Sequence, residues 1–121
     1  MQPGKQRITA YPAILLVALI AFAPTITIAV TEQVYVKYRG WVDLSPFECE
    51  TVTRSSFIRR VCYDRKELYM IIRLNDTYYH YCEIDSRTVQ NLMAAPSMGR
   101  YYNSAIKENF DCRVKRMPPY K

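Results

Sequence analysis

A chain of 121 residues has room for one small domain, and its 17 basic and 11 acidic side chains leave a net charge of +6. No two of the four cysteines stand at the C-x₂₋₄-C spacing of a zinc site. The lone histidine, His80, has no serine or cysteine nucleophile and orienting acid at recognisable spacing. An enzyme is therefore not expected, and neither a metal nor another cofactor is called for.

Lys5 and Arg7 are the only charges before Glu32, and the run Ile8 to Val30 lies between Arg7 and Glu32. Its unbroken apolar centre, Ala13 to Ala23, rises only about 16 Å as a helix, roughly half of a bilayer core of about 30 Å. A basic start, a short apolar centre and a small-residue exit form the signal-peptide pattern. Residues 1–29 are expected to be removed after Ala29, which leads to a periplasmic or secreted protein; the alternative is an uncleaved membrane anchor. Loss of Lys5 and Arg7 leaves 15 basic side chains against 11 acidic ones in 92 residues, a charge of +4.

A domain of this size often needs covalent support. Cys49, Cys62, Cys82 and Cys112 all follow the leader, are even in number and are expected to form two disulfides in an oxidising compartment.

Residues 30–51 read as an extended lead-in arm or an edge strand, with alternation over Val34-Tyr35-Val36-Lys37-Tyr38 and turn chemistry at Gly40 and Ser45-Pro46. The main domain is expected over residues 52–112. Phe57 to Tyr63, Leu68 to Leu74 and Thr77 to Ile84 are rich in β-branched and aromatic residues and read as strands. Asp64 to Glu67 and Asn75-Asp76 supply the turns of an antiparallel meander. Asp85 or Ser86 can cap a helix carrying Val89, Leu92 and Met93, which Pro96 ends. A second helix is expected from about Gly99 to Asn109, with Tyr101, Tyr102, Ala105 and Ile106 on its apolar side. Residues 113–121 read as a frayed basic tail. The fold class is α+β: a three-stranded antiparallel meander with two helices on one face, disulfide-stapled, behind a signal peptide.

Alternation sorts the strands into two faces. Turns at 64–67 and 75–76 set position 62 opposite 69 and 69 opposite 82. Val61, Tyr63, Leu68, Met70, Ile72, Leu74, Tyr79 and Tyr81 then share the apolar face under the helices. The other face carries Ile58, Arg60, Cys62, Tyr69, Ile71, Arg73, Tyr78, His80 and Cys82. With the middle strand between them, Cys62 and Cys82 stand about 10 Å apart, beyond the limit of about 7 Å for a disulfide. The pairs are then 49–62 with 82–112, or 49–82 with 62–112.

Three features are candidates for binding. Tyr79 and Tyr81 have the chemistry to stack bases or sugars, but the apolar face favours core aromatics with a hydroxyl at the rim. His80 reads as a structural or surface histidine. Arg59, Arg60 and Arg73, with Arg113, Lys115, Arg116 and Lys121 of the tail, are candidates for attraction to an anionic polymer or membrane surface, against the plainer reading of a solvated basic face.

Ser55-Ser56-x-Ile58-x-x-Val61-x-Tyr63-Asp64, the strand with Leu68, Met70 and Ile72, Tyr79-His80-Tyr81, and Ser97-x-Gly99-x-Tyr101-x-Asn103-x-x-Ile106 together resemble the KTSC domain. The resemblance covers about residues 52–110. KTSC domains are named for their occurrence at the C-terminus of some lysyl-tRNA synthetases and also occur as stand-alone bacterial proteins. The resemblance marks Ser56, Tyr63, Asp64, Tyr79, Tyr81, Ser97, Gly99, Tyr101, Asn103 and Ile106 as motif positions and implies RNA binding as an alternative function. Cys62 stands where the family commonly has glycine, and Ile84-Asp85 replaces its usual Val-Pro. Cysteines and a leader together point to an exported version, away from tRNA. The expectation is a non-enzymatic, monomeric binding or structural module.

Overall fold

The computed structural model describes Gly4, residues 18–28 and residues 30–120. Lys5, Arg7, most of the leader's apolar centre, the cleavage position Ala29 and the terminal Lys121 lie outside the described residues. Among those described, no helix is long and apolar enough to cross a membrane.

Six strands form one mixed sheet: β1 (Gln33–Val36), β2 (Gly40–Asp43), β3 (Glu48–Thr51), β4 (Ile58–Asp64), β5 (Tyr69–Leu74) and β6 (Thr77–Tyr81). Their order is β2-β1-β6-β5-β4-β3, so the expected meander is the centre of a wider sheet. The lead-in is not an arm. It adds strands to both edges of the meander, since burying Val34, Val36 and Val42 removes apolar surface that an arm would leave in water. β1 lies parallel to β6, and the remaining pairs are antiparallel.

The register of β5 on β6 is the expected one, with Met70 opposite Tyr81. That of β4 on β5 is displaced by two residues, Cys62 facing Ile71 rather than Tyr69. β4 runs on through Asp64, so the turn moves to 65–68. Leu68 closes it at φ 51° and is 42% exposed, not part of the apolar face. A shift of two keeps parity, so the other side chains stay on their expected faces. Ile58 is the second exception: an irregularity between Ile58 and Arg60 turns it into the core under the helices.

Two helical pieces cover that core. α1 (Ser86–Ala94) is capped by Asp85, whose carboxylate accepts from Thr88 N at 3.3 Å, and it buries Val89 and Leu92. α2 (Met98–Tyr101) is capped by Ser97 and runs into a π-helical turn, Tyr102–Ile106, which buries Tyr102 and Ile106. The expected single helix is thus shorter and changes its winding. A Cβ on Gly99 would lie 2.7 Å from the Phe57 ring, so this motif glycine permits the close approach of α2 to Phe57, just ahead of β4. Each aliphatic side chain fully buried here contributes about 1.5–3 kcal/mol.

The opposite face, expected to be solvated or to attract an anionic polymer, holds a second core. Val34, Val36, Val42, Leu44, Cys62, Tyr69, Ile71 and Cys82 form it, with Phe47 and Tyr120 against it. The short link from β2 to β3 forces this enclosure. Six strands laid flat would put β2 and β3 about 24 Å apart. The five residue steps from Asp43 to Glu48 reach about 18 Å at most. The sheet must curl, and it closes around the second core. The ion pair of Arg60, on β4, with Glu32, just ahead of β1, is 2.6 Å long and joins strands that stand three places apart in the sheet order. The tail is not frayed either: Pro118 is buried, and Tyr120 donates to Asp64 Oδ2 at 2.7 Å.

Cys49 pairs with Cys62 and Cys82 with Cys112, one of the two expected sets. Both bonds suit an oxidising environment.

Candidate binding clefts around Tyr79

β6 alternates its side chains between the two cores. Tyr79 and Tyr81 face the helices, and His80 faces the second core. Tyr81 is buried and shares a 2.5 Å hydrogen bond with the Tyr102 hydroxyl. Burial and that bond push the Tyr81 hydroxyl far above its ordinary pKa, so it stays protonated. Tyr81 is therefore the core aromatic that the alternation implies. Tyr79, nearer the start of the strand, is only half-buried.

The parallel pairing of β1 carries the chain past Tyr79. Lys37 N donates to Tyr78 O at 2.9 Å, which sets the Lys37 ammonium 5.7 Å from the Tyr79 ring centre and 5.2 Å from that of Tyr38. The π-helical turn, closed by Lys107 N donating to Tyr102 O at 2.9 Å, also borders Tyr79. Such turns re-aim side chains and recur at functional sites. Here Asn103 and Lys107 reach the same region.

Two adjoining clefts result. One, of about 570 Å³, is lined by Phe57, Thr77, Tyr79, Tyr81, Tyr102, Asn103 and Lys107. The other, of about 370 Å³, is lined by Tyr38, Tyr79, His80, Lys107, Asp111, Cys112 and Arg113. Tyr79, Tyr81 and Lys107 border both. Neither cleft brings together a nucleophile with a base. Among the described residues, no group of three or more His, Cys, Asp and Glu side chains is placed to hold a metal.

His80 Nδ1 lies 2.8 Å from the Tyr69 hydroxyl. Burial lowers its pKa from 6.5, the Arg39 guanidinium lowers it further, and Asp111 pulls the other way. Lys107 and the ion-paired Arg113 line the same cleft as His80. A histidine with a depressed folded pKa binds fewer protons folded than unfolded. Its stabilisation is therefore complete above the ordinary value of 6.5 and is lost as pH falls below it. Urea midpoints measured from pH 7.5 down to 5.5 are expected to fall in the native protein, and less steeply in His80→Gln. Equal slopes would remove His80 as the cause.

The basic candidates are mostly engaged by their own chain. Arg60 is held bidentately by Glu32 at 2.6 and 3.0 Å, which raises its pKa, and Arg73 lies 3.5 Å from Asp76. Arg113 grips Asp111 at 2.6 Å, holding that carboxyl down at about 2, and Arg116 reaches Glu67 at 3.1 Å. Arg59 donates to the carbonyls of Ser55 and Ser56, and Lys115 is exposed.

Most of the remaining motif positions brace the fold. Tyr63 donates to Ile84 O at 2.7 Å, Asp64 accepts from Lys66 N and Glu67 N in its turn, and Ile106 is fully buried. Tyr101 packs against the helix-side core, and Ser56 is exposed. Lys37, Tyr38 and Lys107 were not singled out by motif. The alternation over residues 34–38 was the one available signal for the first two.

A family model for the KTSC domain matches residues 54–110, which run from the approach to β4 through the π-helical turn. The crystal structure of a KTSC domain protein from Yersinia pestis superposes with a TM-score of 0.51 at 30% identity, over 54% of this chain and 92% of that one. This chain belongs to the KTSC family. No curated protein matches it. The KTSC segment thus supplies β4 to β6 and the helices, while β1 to β3 and the docked tail lie outside it. Both disulfides join one cysteine inside the KTSC segment to one outside.

Proposed function

We propose that this KTSC protein is a small, non-enzymatic, monomeric binding module that works outside the cytoplasm and holds an anionic polymer of the cell envelope in the clefts around Tyr79. The observation that carries the reading is the half-buried ring of Tyr79, which has the Lys37 ammonium 5.7 Å from its centre and shares a cleft with Asn103 and Lys107. A ring supplies a stacking surface for a sugar or base, and free ammonium groups attract the charge beside it. The Arg59, Arg60, Arg73, Arg113 and Arg116 set supports it less well, being occupied internally. Export is supported by the two disulfides and by the leader pattern of residues 1–29 with cleavage after Ala29. Retention of that segment as an anchor would keep the module at the membrane surface.

Single-stranded nucleic acid is the second reading, favoured by the same ring with Lys37 beside it and Lys107 in its cleft. Protein purified from cells in its oxidised form is titrated with polygalacturonate and with dodecauridylate at low and at physiological salt. Polygalacturonate binding is expected to weaken with salt and to fall about tenfold in Tyr79→Ala, in line with the 1–3 kcal/mol of one stacking contact, with an unchanged circular dichroism spectrum. Preference for dodecauridylate would move the assignment to nucleic acid. Binding of neither would remove the clefts as a polyanion site.

A further inference from the structure

The second edge of the sheet has a different chemistry. β3 pairs with β4 on one side, and no described residue pairs with it on the other. All four of its residues are exposed. Val52, just beyond the strand, donates its N–H to Arg59 O at 2.9 Å, which fixes the parity of the ladder. Positions 48, 50 and 52 turn their main-chain groups toward β4, so Cys49 and Thr51 turn theirs outward. Two donors and two acceptors thus stand along the open edge at strand spacing. The Cys49–Cys62 disulfide ties this strand to its neighbour, so the edge is held in shape before anything binds.

Beside this edge runs a groove of about 590 Å³ between β3 and α1. Val61, Val89 and Met93 give it an apolar lining, and Glu48 and Glu50 border it. Both glutamates share a face with their cross-strand partners Tyr63 and Val61, which is the face of the helices. Neither carboxylate has an ion-pair partner among the described residues. Arg65 is the one basic side chain among those lining the groove.

We infer that the open edge of β3 is a strand-addition site for an extended basic segment of a partner protein, with Lys or Arg at alternate positions. The pairing geometry sets that pattern. Residues opposite Glu48 and Glu50 share their face, so a long basic side chain there lays its aliphatic stem along Val89 and Met93 and brings its charge to the carboxylates. A second copy of the chain is the wrong occupant, because β3 paired with itself sets glutamate beside glutamate. The site is separate from the Tyr79 clefts, and β3 lies outside the residues that match the KTSC model.

The test uses oxidised protein purified from cells and the synthetic peptide acetyl-Thr-Arg-Val-Arg-Val-Arg-Thr-amide. Peptide binding is expected to slow hydrogen exchange at the Cys49 and Thr51 amides. The Glu48→Gln/Glu50→Gln double variant, altered only at exposed positions, is expected to bind about five- to tenfold more weakly. A peptide N-methylated at alternate residues keeps its charge but cannot extend the ladder, and it is expected to lose most of its affinity. Equal binding of the methylated peptide, no protection at Cys49 and Thr51, or no binding at millimolar peptide would each overturn the proposal.

Discussion

Tyr69→Ala is expected to lower the stability of the protein by about 3–5 kcal/mol, the range for removing a large buried aromatic side chain. Tyr69 is wholly inaccessible at the centre of the second core. Its ring lies 5.9 Å from Phe47, 5.5 Å from Tyr120 and 5.8 Å from His80, centre to centre. The Arg39 guanidinium sits 5.0 Å from its face and 4.9 Å from that of Tyr120, and donates to Pro118 O. Truncation to alanine would leave a cavity at the point where β1, the β2–β3 link and the tail meet. Burial also pushes the Tyr69 hydroxyl up to about 12, so it remains a neutral partner for His80. Tyr69→Phe keeps the packing and is expected to cost only about 1 kcal/mol. Urea denaturation with the disulfides intact separates the two. A loss below about 1 kcal/mol for the alanine variant would mean that the second core does not support the fold.

Replacing Cys82 and Cys112 together by alanine is expected to cost about 3.5 kcal/mol, from the unfolded-chain entropy that a 30-residue separation restores. The Cys49–Cys62 link closes a separation of only 13 residues, and its removal is expected to cost about 3 kcal/mol on the same account. The structure widens that gap. Cys112 holds the start of the tail, and the tail carries Tyr120 onto Tyr69 and Asp64. Losing the 82–112 bond therefore also releases a lid of the second core, whereas β3 without its bond is still paired along β4. Thermal unfolding of the two double variants, with solvent exposure of Tyr120 followed by near-ultraviolet circular dichroism, checks the order. A larger loss for the 49–62 variant would contradict the docking of the tail.

The meander, the helices and the face beneath them were legible in the sequence because local signals agree there. β-Branched and aromatic runs, turn residues and the Asp85 cap all act over a few positions. The exclusion of Cys62–Cys82 followed from strand spacing alone and survived a register error, since a shift of two residues leaves each cysteine on its face. The second core was not legible. Tyr69, Tyr78 and Cys62 look like an exposed aromatic row until the chain before residue 52 is known to pair with β6. That pairing is parallel, joins distant segments and leaves no local mark. The same limit hid the clefts. Tyr79 was recognisable as a motif residue, but Lys37 reaches it only through β1, and Lys107 only through a helical turn whose extra residue no propensity encodes.

Both disulfides join cysteines that are neighbours in the order Cys49, Cys62, Cys82, Cys112. A chain delivered to an oxidant with its N-terminus first would meet each native partner as the next thiol to emerge. Cys49 and Cys62 would already be joined before Cys82 and Cys112 arrived. The native connectivity is thus the one reached by pairing thiols in order of arrival, and reaching it calls for no reshuffling by an isomerase.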